Sequence, residues 1–213
     1  MIFHGVMPPR RFLCWMIGCW CMLAGSALAG GPSFDCAKVK AGSIEAMVCA
    51  DEELTRLDRQ LAETYREARK KAVNEHPPML KVEQRGWVKG RNDCWKSAGT
   101  RQCVAESYRL RTAELQARYR LVAFIGSVTY RCDDHPKSEL IATFFHTEPR
   151  TLIAERGDQV SLMFQQVSAS GARYQGRNES LWEHQGEATV VWGYGAPEIR
   201  CVVVPQPGQV DGK

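Results

Sequence analysis

Gln159-Val-Ser-Leu-Met-Phe-Gln-Gln-Val-Ser-Ala-Ser-Gly-Ala-Arg-Tyr-Gln175 contains a strand, a loop of small residues and a second strand. It sets the character of the C-terminal half. On either side lie further short runs rich in Val, Ile, Thr and aromatics: Val128–Cys132, Glu139–Phe145, Thr151–Glu155, Ser180–His184, Glu187–Trp192 and Ile199–Val204. Asp134-His135-Pro136, Arg156-Gly157-Asp158, Gly176-Arg177-Asn178 and Gly193-Tyr-Gly-Ala-Pro197 punctuate them as turns. Eight short strands at this spacing predict an antiparallel barrel or sandwich. A polar loop with a Ser-Gly tip on such a scaffold suits insertion into another molecule's cleft.

The pattern is different before residue 125. Met47, Leu54, Leu57, Leu61, Tyr65, Ala68 and Ala72 recur at spacings of three, four and seven, predicting one helix from Ser43 to about Asn74. His76-Pro77-Pro78 ends it. A second helix is expected over Leu80–Trp95, burying Trp87 and Val88, with Gly86 and Gly90 as weak points and Ala98-Gly99 as the break. A third, from about Arg101 to Val122, carries Val104, Tyr108, Arg111, Leu115 and Tyr119 on one stripe. The fold class expected is therefore α+β in two domains, a small disulfide-stapled helical bundle followed by an eight-stranded antiparallel β-barrel.

The first 29 residues have the character of a signal peptide. Arg10 and Arg11 precede an apolar run, Phe12–Leu23, too short to span a bilayer, and Ala27-Leu28-Ala29 offers a small-x-small cleavage site. Cleavage after Ala29 and a periplasmic or secreted location are expected. Met16-Ile17-Gly18-Cys19 loosely matches a lipobox, and a membrane attachment would require lipidation at Cys19. Of nine cysteines, Cys36, Cys49, Cys94, Cys103, Cys132 and Cys201 remain after cleavage. An even number in an exported chain predicts disulfides, and the spacings favour Cys36–Cys49, Cys94–Cys103 and Cys132–Cys201. The last would tie the first strand to the last, worth roughly 4 kcal/mol on a chain-entropy basis. With no C-x-x-C pair and scattered histidines, no metal is expected, and no cofactor.

The formal charge of +4 falls to +2 once Arg10 and Arg11 leave. That is too little to argue for nucleic acid or a membrane surface. There is no G-x-S-x-G, and no His/Asp pair is placed for nucleophilic catalysis, so an enzyme is not expected.

Cys36, Ser43-x-Glu45-x-x-Val48-Cys49-Ala50-Asp51, Leu54-x-x-Leu57-Asp58 and Tyr65, then Gln84-x-x-Trp87-x-x-x-Arg91-Asn92-x-Cys94, Cys103, Tyr108 and Leu115, resemble the LprI-like lysozyme-inhibitor domain over residues 35–122. For Asp58, Tyr65, Trp87 and Arg91 the plainer expectation is core packing and an interhelical ion pair. Tyr130-x-Cys132, Ser168-Ala-Ser-Gly-Ala-Arg-Tyr174, Trp182, Glu187-Ala-Thr-Val190 and Cys201 resemble the MliC family of c-type lysozyme inhibitors over residues 128–205, leaving a tail, 206–213.

The MliC resemblance implies a protein partner, c-type lysozyme, entered by the serine loop. The binding residues it implies are Ser168, Ser170, Gly171, Arg173, Tyr174 and His184. In that family a loop serine and a lysine two residues after the tryptophan reach the enzyme's catalytic carboxylates. The serine falls on Ser170 and the lysine position on His184, a departure, with Arg173 as the other cation available. A hydroxyl can both donate and accept, so Ser170 could bond either the protonated or the ionised carboxyl, and a nearby cation stabilises the ionised one. Because an imidazole charges fully only below about pH 6.5, inhibition is expected to strengthen as pH falls toward 6. The competing expectation is an envelope binding or scaffold protein without inhibition.

Overall fold

The computed structural model describes residues 1, 30–75, 78–133 and 138–205. The signal segment and the tail, with their expected cleavage and lipidation sites, lie outside the described residues.

Four α-helices come first: α1 (Ile44–Ala50), α2 (Glu52–Lys71), α3 (Met79–Asn92) and α4 (Thr100–Arg118). The single helix expected from Ser43 to Asn74 is thus two. Asp51 breaks it: its backbone turns extended, and its side chain accepts from the Leu54 amide, capping α2. A cap residue competes with helix continuation, because its carboxylate satisfies an amide that a new helix start leaves unpaired. Acidic Glu52 and Glu53 open α2 and basic Arg69, Lys70 and Lys71 close it, matching the helix dipole. The second helix stops three residues before Trp95, continuing as a 3₁₀ turn over Asp93–Lys96. It runs through Gly86 and Gly90, and it buries Leu80 and Arg91 while Val88 is exposed. The third expected helix ends at Arg118, four residues early, where Arg120 takes a left-handed conformation.

Eight strands follow: β1 (Phe124–Cys132), β2 (Glu139–Phe145), β3 (Thr151–Arg156), β4 (Gln159–Gln166), β5 (Ala172–Gln175), β6 (Glu179–His184), β7 (Glu187–Trp192) and β8 (Glu198–Val203). Each pairs antiparallel with the next, and β1 pairs with β8, giving a closed up-and-down barrel. The register opposes Cys132 to Cys201, so the disulfide lies across the closing seam. All three expected disulfides are present. β1 begins four residues earlier than its apolar run, with a bulge between Phe124 and Gly126.

Two separate cores result. Val48, Leu54, Leu57, Leu61, Val104, Tyr108 and Leu115 fill the helical one, while Tyr130, Leu140, Leu152, Met163, Leu181 and Val190 fill the barrel. The two halves meet along α4, which packs against β3 and β4. Its stripe Val104, Tyr108, Leu115 faces the helical core; Ala113 and Ala117, on the opposite side, are also fully buried. On the barrel, Phe145 and Thr151 sit at outward positions of their strands yet are shielded from water. From Gly31 on, the described residues therefore form one compact unit with two cores.

Candidate functional site

The loop between β4 and β5 is held in place by its neighbour β6. The Ser168 hydroxyl donates to the Ser170 carbonyl at 2.6 Å, and the Trp182 indole Nε1–H donates to the same oxygen at 3.1 Å. Two donors on one carbonyl fix the loop tip from both sides. Ser170 is exposed, and its own hydroxyl makes no hydrogen bond among the described residues. It is therefore free to bond a partner.

Gly171 accounts for the tightness of this arrangement. Its φ is +65°, the left-handed region, and a Cβ there would lie 2.1 Å from the Glu183 carbonyl oxygen and 3.2 Å from His184 Cβ. Only glycine lets the loop backbone press against β6 this closely. The same close approach sets the root of His184 beside the loop tip. His184 ends β6, and Gln185 and Gly186, both with positive φ, turn the chain into β7. Such a two-residue turn suits the twist of a hairpin. Gly186 is thus the second turn residue.

The six residues expected at the site divide. Ser168, Ser170, Gly171 and His184 come together through the β5–β6 register. Arg173 stands opposite Trp182 in that ladder, exposed on the barrel's outer face. Tyr174 points inward: it is 4% exposed, lies edge-on to Phe144 with ring centroids 5.5 Å apart, and burial pushes its phenol pKa up. Its ring anchors β5 in the barrel core.

Two residues beyond those six contribute: Trp182, part of the sequence motif but not expected at the site, and Arg200, which no local signal marks. Trp182, 45% exposed, lies outside the barrel as a clamp on the loop. Arg200 arrives from β8, two strands away, and makes a two-pronged ion pair with Glu187, which faces His184 across the β6–β7 turn. Trp182, His184, Glu187 and Arg200 help line a shallow depression of about 410 Å³. Among the described residues no group of His, Cys, Asp and Glu could hold a metal ion.

In the helical half, Asp58, Trp87 and Arg91, singled out as packing residues, belong to one network, while Tyr65 packs partly buried against the core. Arg91, 5% exposed, donates to the Tyr108 hydroxyl at 2.6 Å and to Glu45 at 2.5 Å, with its guanidinium over the rings of Trp87 and Tyr108. The Tyr108 hydroxyl in turn donates a hydrogen bond to Asp58 at 2.9 Å, and Asp58 also accepts from the Ser33 amide. The ion pair is thus Arg91 with Glu45, not with Asp58. Burial alone would raise the Glu45 pKa, but the Asn92 amide, a backbone bond and Arg91 together hold it below the ordinary range. Burial pushes the Tyr108 phenol up.

Comparison with known proteins divides the chain at the same place. Residues 36–115 match the family described as lysozyme inhibitor LprI, and residues 130–199 the family described as membrane-bound lysozyme-inhibitor of c-type lysozyme, MliC. Lipoprotein LprI of Mycobacterium bovis and of Mycobacterium tuberculosis H37Rv are each 35% identical over 161 residues, 74% of this chain and 78% of theirs. Among solved structures, Pseudomonas aeruginosa MliC in complex with hen egg white lysozyme aligns at 20% identity and a TM-score of 0.31, over 39% of this chain and 86% of that one. With that coverage and identity to the mycobacterial proteins, and with the two domains in this order, the chain belongs to the LprI family and carries an MliC domain behind its LprI domain.

Proposed function

We propose that this protein inhibits a c-type lysozyme by inserting the Ser168–Gly171 loop into the enzyme's substrate cleft. The observation that carries the proposal is the loop itself. Its tip carbonyl is pinned by Ser168 and Trp182, and its Ser170 hydroxyl is exposed and unengaged. A pre-fixed loop avoids most of the ordering cost that a mobile one would meet on binding. The family descriptions of both halves support a lysozyme as the target.

Lysozyme-type hydrolysis uses two carboxyl groups about 5 Å apart, one protonated and one ionised. Ser170 would bond them, donating to the ionised group or accepting from the protonated one. His184, beside the tip, would add a charge-assisted bond when protonated, with Arg173 as the alternative cation. Nothing in this arrangement activates a nucleophile, so the action is occlusion rather than chemistry.

The whole-chain charge conceals an asymmetry that aids this role. Residues 123–205 carry seven Lys and Arg against ten Asp and Glu, while residues 31–122 carry eighteen against thirteen. The barrel end is net negative, which steers a basic partner toward it and should make the association rate fall with salt. The protein would act outside the cytoplasm, after cleavage at Ala29 or anchored by a lipid at Cys19.

The test is inhibition of a c-type lysozyme by residues 30–213, wild type and Ser170→Ala. The whole segment is needed because a barrel alone would expose Phe145 and Thr151. Strong inhibition that falls at least about tenfold in Ser170→Ala supports loop insertion, as the loss of about 1.4 kcal/mol for a charge-assisted bond. Equal inhibition by both would move the contact elsewhere. No inhibition by either would favour a role in envelope binding without inhibition.

A further inference from the structure

The serine loop stands on the rim of an opening in the barrel. In an up-and-down barrel alternate connections fall at the same end. The β2–β3, β4–β5 and β6–β7 turns therefore surround the end at which β1 begins and β8 finishes. A cavity of about 420 Å³ reaches the barrel core there, walled by Val128, Tyr130, Phe144, Ala172, Tyr174 and Glu183. Barrel mouths of such volume are common places for binding. Ala172 directly follows Gly171, whose backbone lies against the Glu183 carbonyl. A molecule seated on the serine loop thus lies over the edge of this mouth.

Three polar groups of the lining are left without protein counterparts. Tyr130 and Tyr174 are 1% and 4% exposed, yet neither phenol makes a hydrogen bond among the described residues. Neither oxygen is wholly enclosed, so what access these side chains keep opens on the mouth. Glu183 is directed inward like Leu181, two positions earlier in β6. Its carboxylate accepts one long bond, 3.4 Å, from the Gly186 amide and forms no ion pair among the described residues. Burial and then the Glu183 charge push the Tyr130 phenol up; Tyr174 is pushed up by burial, with Arg150 opposing and Glu183 adding. The carboxylate thus acts on both hydroxyls. Buried polar groups are ordinarily paired, and such a set is open to a donor from outside.

This lining selects a cation on an apolar stem. An anion would meet Glu183. A purely apolar group would strip water from the carboxylate and both phenols and return no bond. Arg150, the one cation lining the mouth among the described residues, is exposed and screened by water, whereas Glu183 is half-buried. A primary ammonium brings three donors for a carboxylate and phenol oxygens, and its methylenes can lie along Val128, Phe144 and Ala172. Lysine is the side chain with that chemistry. The excess of acidic over basic residues in 123–205, ten against seven, favours a partner that carries it. We infer that the barrel mouth receives a lysine side chain of the lysozyme docked on the serine loop, a second anchor that rests on the function proposed above.

Two measurements on residues 30–213 test it. In the first, n-butylammonium, a lysine side chain without its backbone, is titrated with amide chemical shifts as readout, and n-butanol serves as the uncharged control. Saturable shifts at Val128, Ala172 and Glu183 are expected from the amine and not from the alcohol, and Glu183→Gln should remove them. In the second, calorimetry compares a c-type lysozyme with the same enzyme after acetylation of its lysines. Glu183→Gln should weaken affinity for the unmodified enzyme about tenfold and Tyr174→Phe about threefold, while the acetylated enzyme should bind wild type and both variants equally. Absence of saturable amine shifts, wild-type lysozyme affinity in Glu183→Gln, or an equal loss against the acetylated enzyme would each overturn the inference. No lysozyme binding by the wild type would refute the serine-loop proposal and this one together. Affinity that falls in Ser170→Ala and holds in Glu183→Gln would refute this one alone.

Discussion

Gly171 and Gly186 lie at the same end of the barrel, at φ +65° and +81°, and differ in one respect. A Cβ on Gly186 would meet nothing within 4 Å; a Cβ on Gly171 would lie 2.1 Å from the Glu183 carbonyl oxygen. Gly186→Ala should therefore cost only the left-handed strain of a non-glycine residue, about 1–2 kcal/mol. Gly171→Ala bears the same strain and must also clear the overlap. Restoring an ordinary contact near 3.3 Å needs a movement of about 1.2 Å, and the carbonyl cannot yield freely because Glu183 is paired with Ala172 in the β5–β6 ladder. Overpacking adds about 1–3 kcal/mol and a strained ladder bond about 1 more, so the total is about 3–6 kcal/mol. Urea denaturation of residues 30–213 measures both variants. Lysozyme inhibition gives a second readout, since the displaced loop should inhibit at least about tenfold less while Gly186→Ala stays near wild type. Costs for the two variants that agree within about 0.5 kcal/mol would refute the close-approach argument and leave backbone strain as the whole effect.

The buried pair in the helical half gives a pH prediction. Glu45, Asp51 and Glu53 are each held below their ordinary values, Glu45 by Asn92 and Arg91 against its burial, the other two chiefly by hydrogen bonds from Arg101. Their stabilisation is complete above about pH 4.5 and is lost as pH falls through the lowered folded values, so circular dichroism should show the helices weakening below pH 4. Glu45→Gln should cost about 2–3 kcal/mol at pH 7, because Arg91 stays buried, and should flatten that acid dependence. Replacing Cys132 and Cys201 together by serine should cost about 4 kcal/mol for a closure spanning 69 residues, with near-ultraviolet signals of the barrel melting first. Ala113→Arg should force α4 off β3 and β4 at a cost of at least about 2 kcal/mol, and small-angle scattering should report a longer particle. An unchanged scattering profile would mean that α4 is not what joins the halves.

Much of the fold was legible because its elements follow simple periods. Each of the eight strands was a short apolar run ended by a turn, and the six cysteines beyond residue 29 paired by proximity in sequence or across the barrel seam. The helix break at Asp51 does not show in periodicity, since Met47 and Leu54, seven residues apart, continue one apolar stripe through it. The signal lay in capping chemistry instead: an aspartate followed by two glutamates and then leucine. Val88 failed as a core residue because hydrophobicity alone does not specify which face of α3 meets α4, a choice made by Leu80, Trp87 and Arg91 together.

By itself the sequence determined two halves of different period, three disulfides, the family and the serine loop, because each of these is written in local spacing or composition. The tertiary structure alone decided which residues around the loop are exposed. Tyr174 turned inward and Trp182 outward, since adjacent positions of a closed barrel alternate and the β5–β6 register sets which of them reaches the Ser170 carbonyl. It likewise brought Arg200 from the last strand beside His184, and it buried Ala113 and Ala117 between the halves. Those last contacts leave no trace in local pattern: an alanine on a helix fits solvent and core equally well, and only the approach of a second body makes its small size matter.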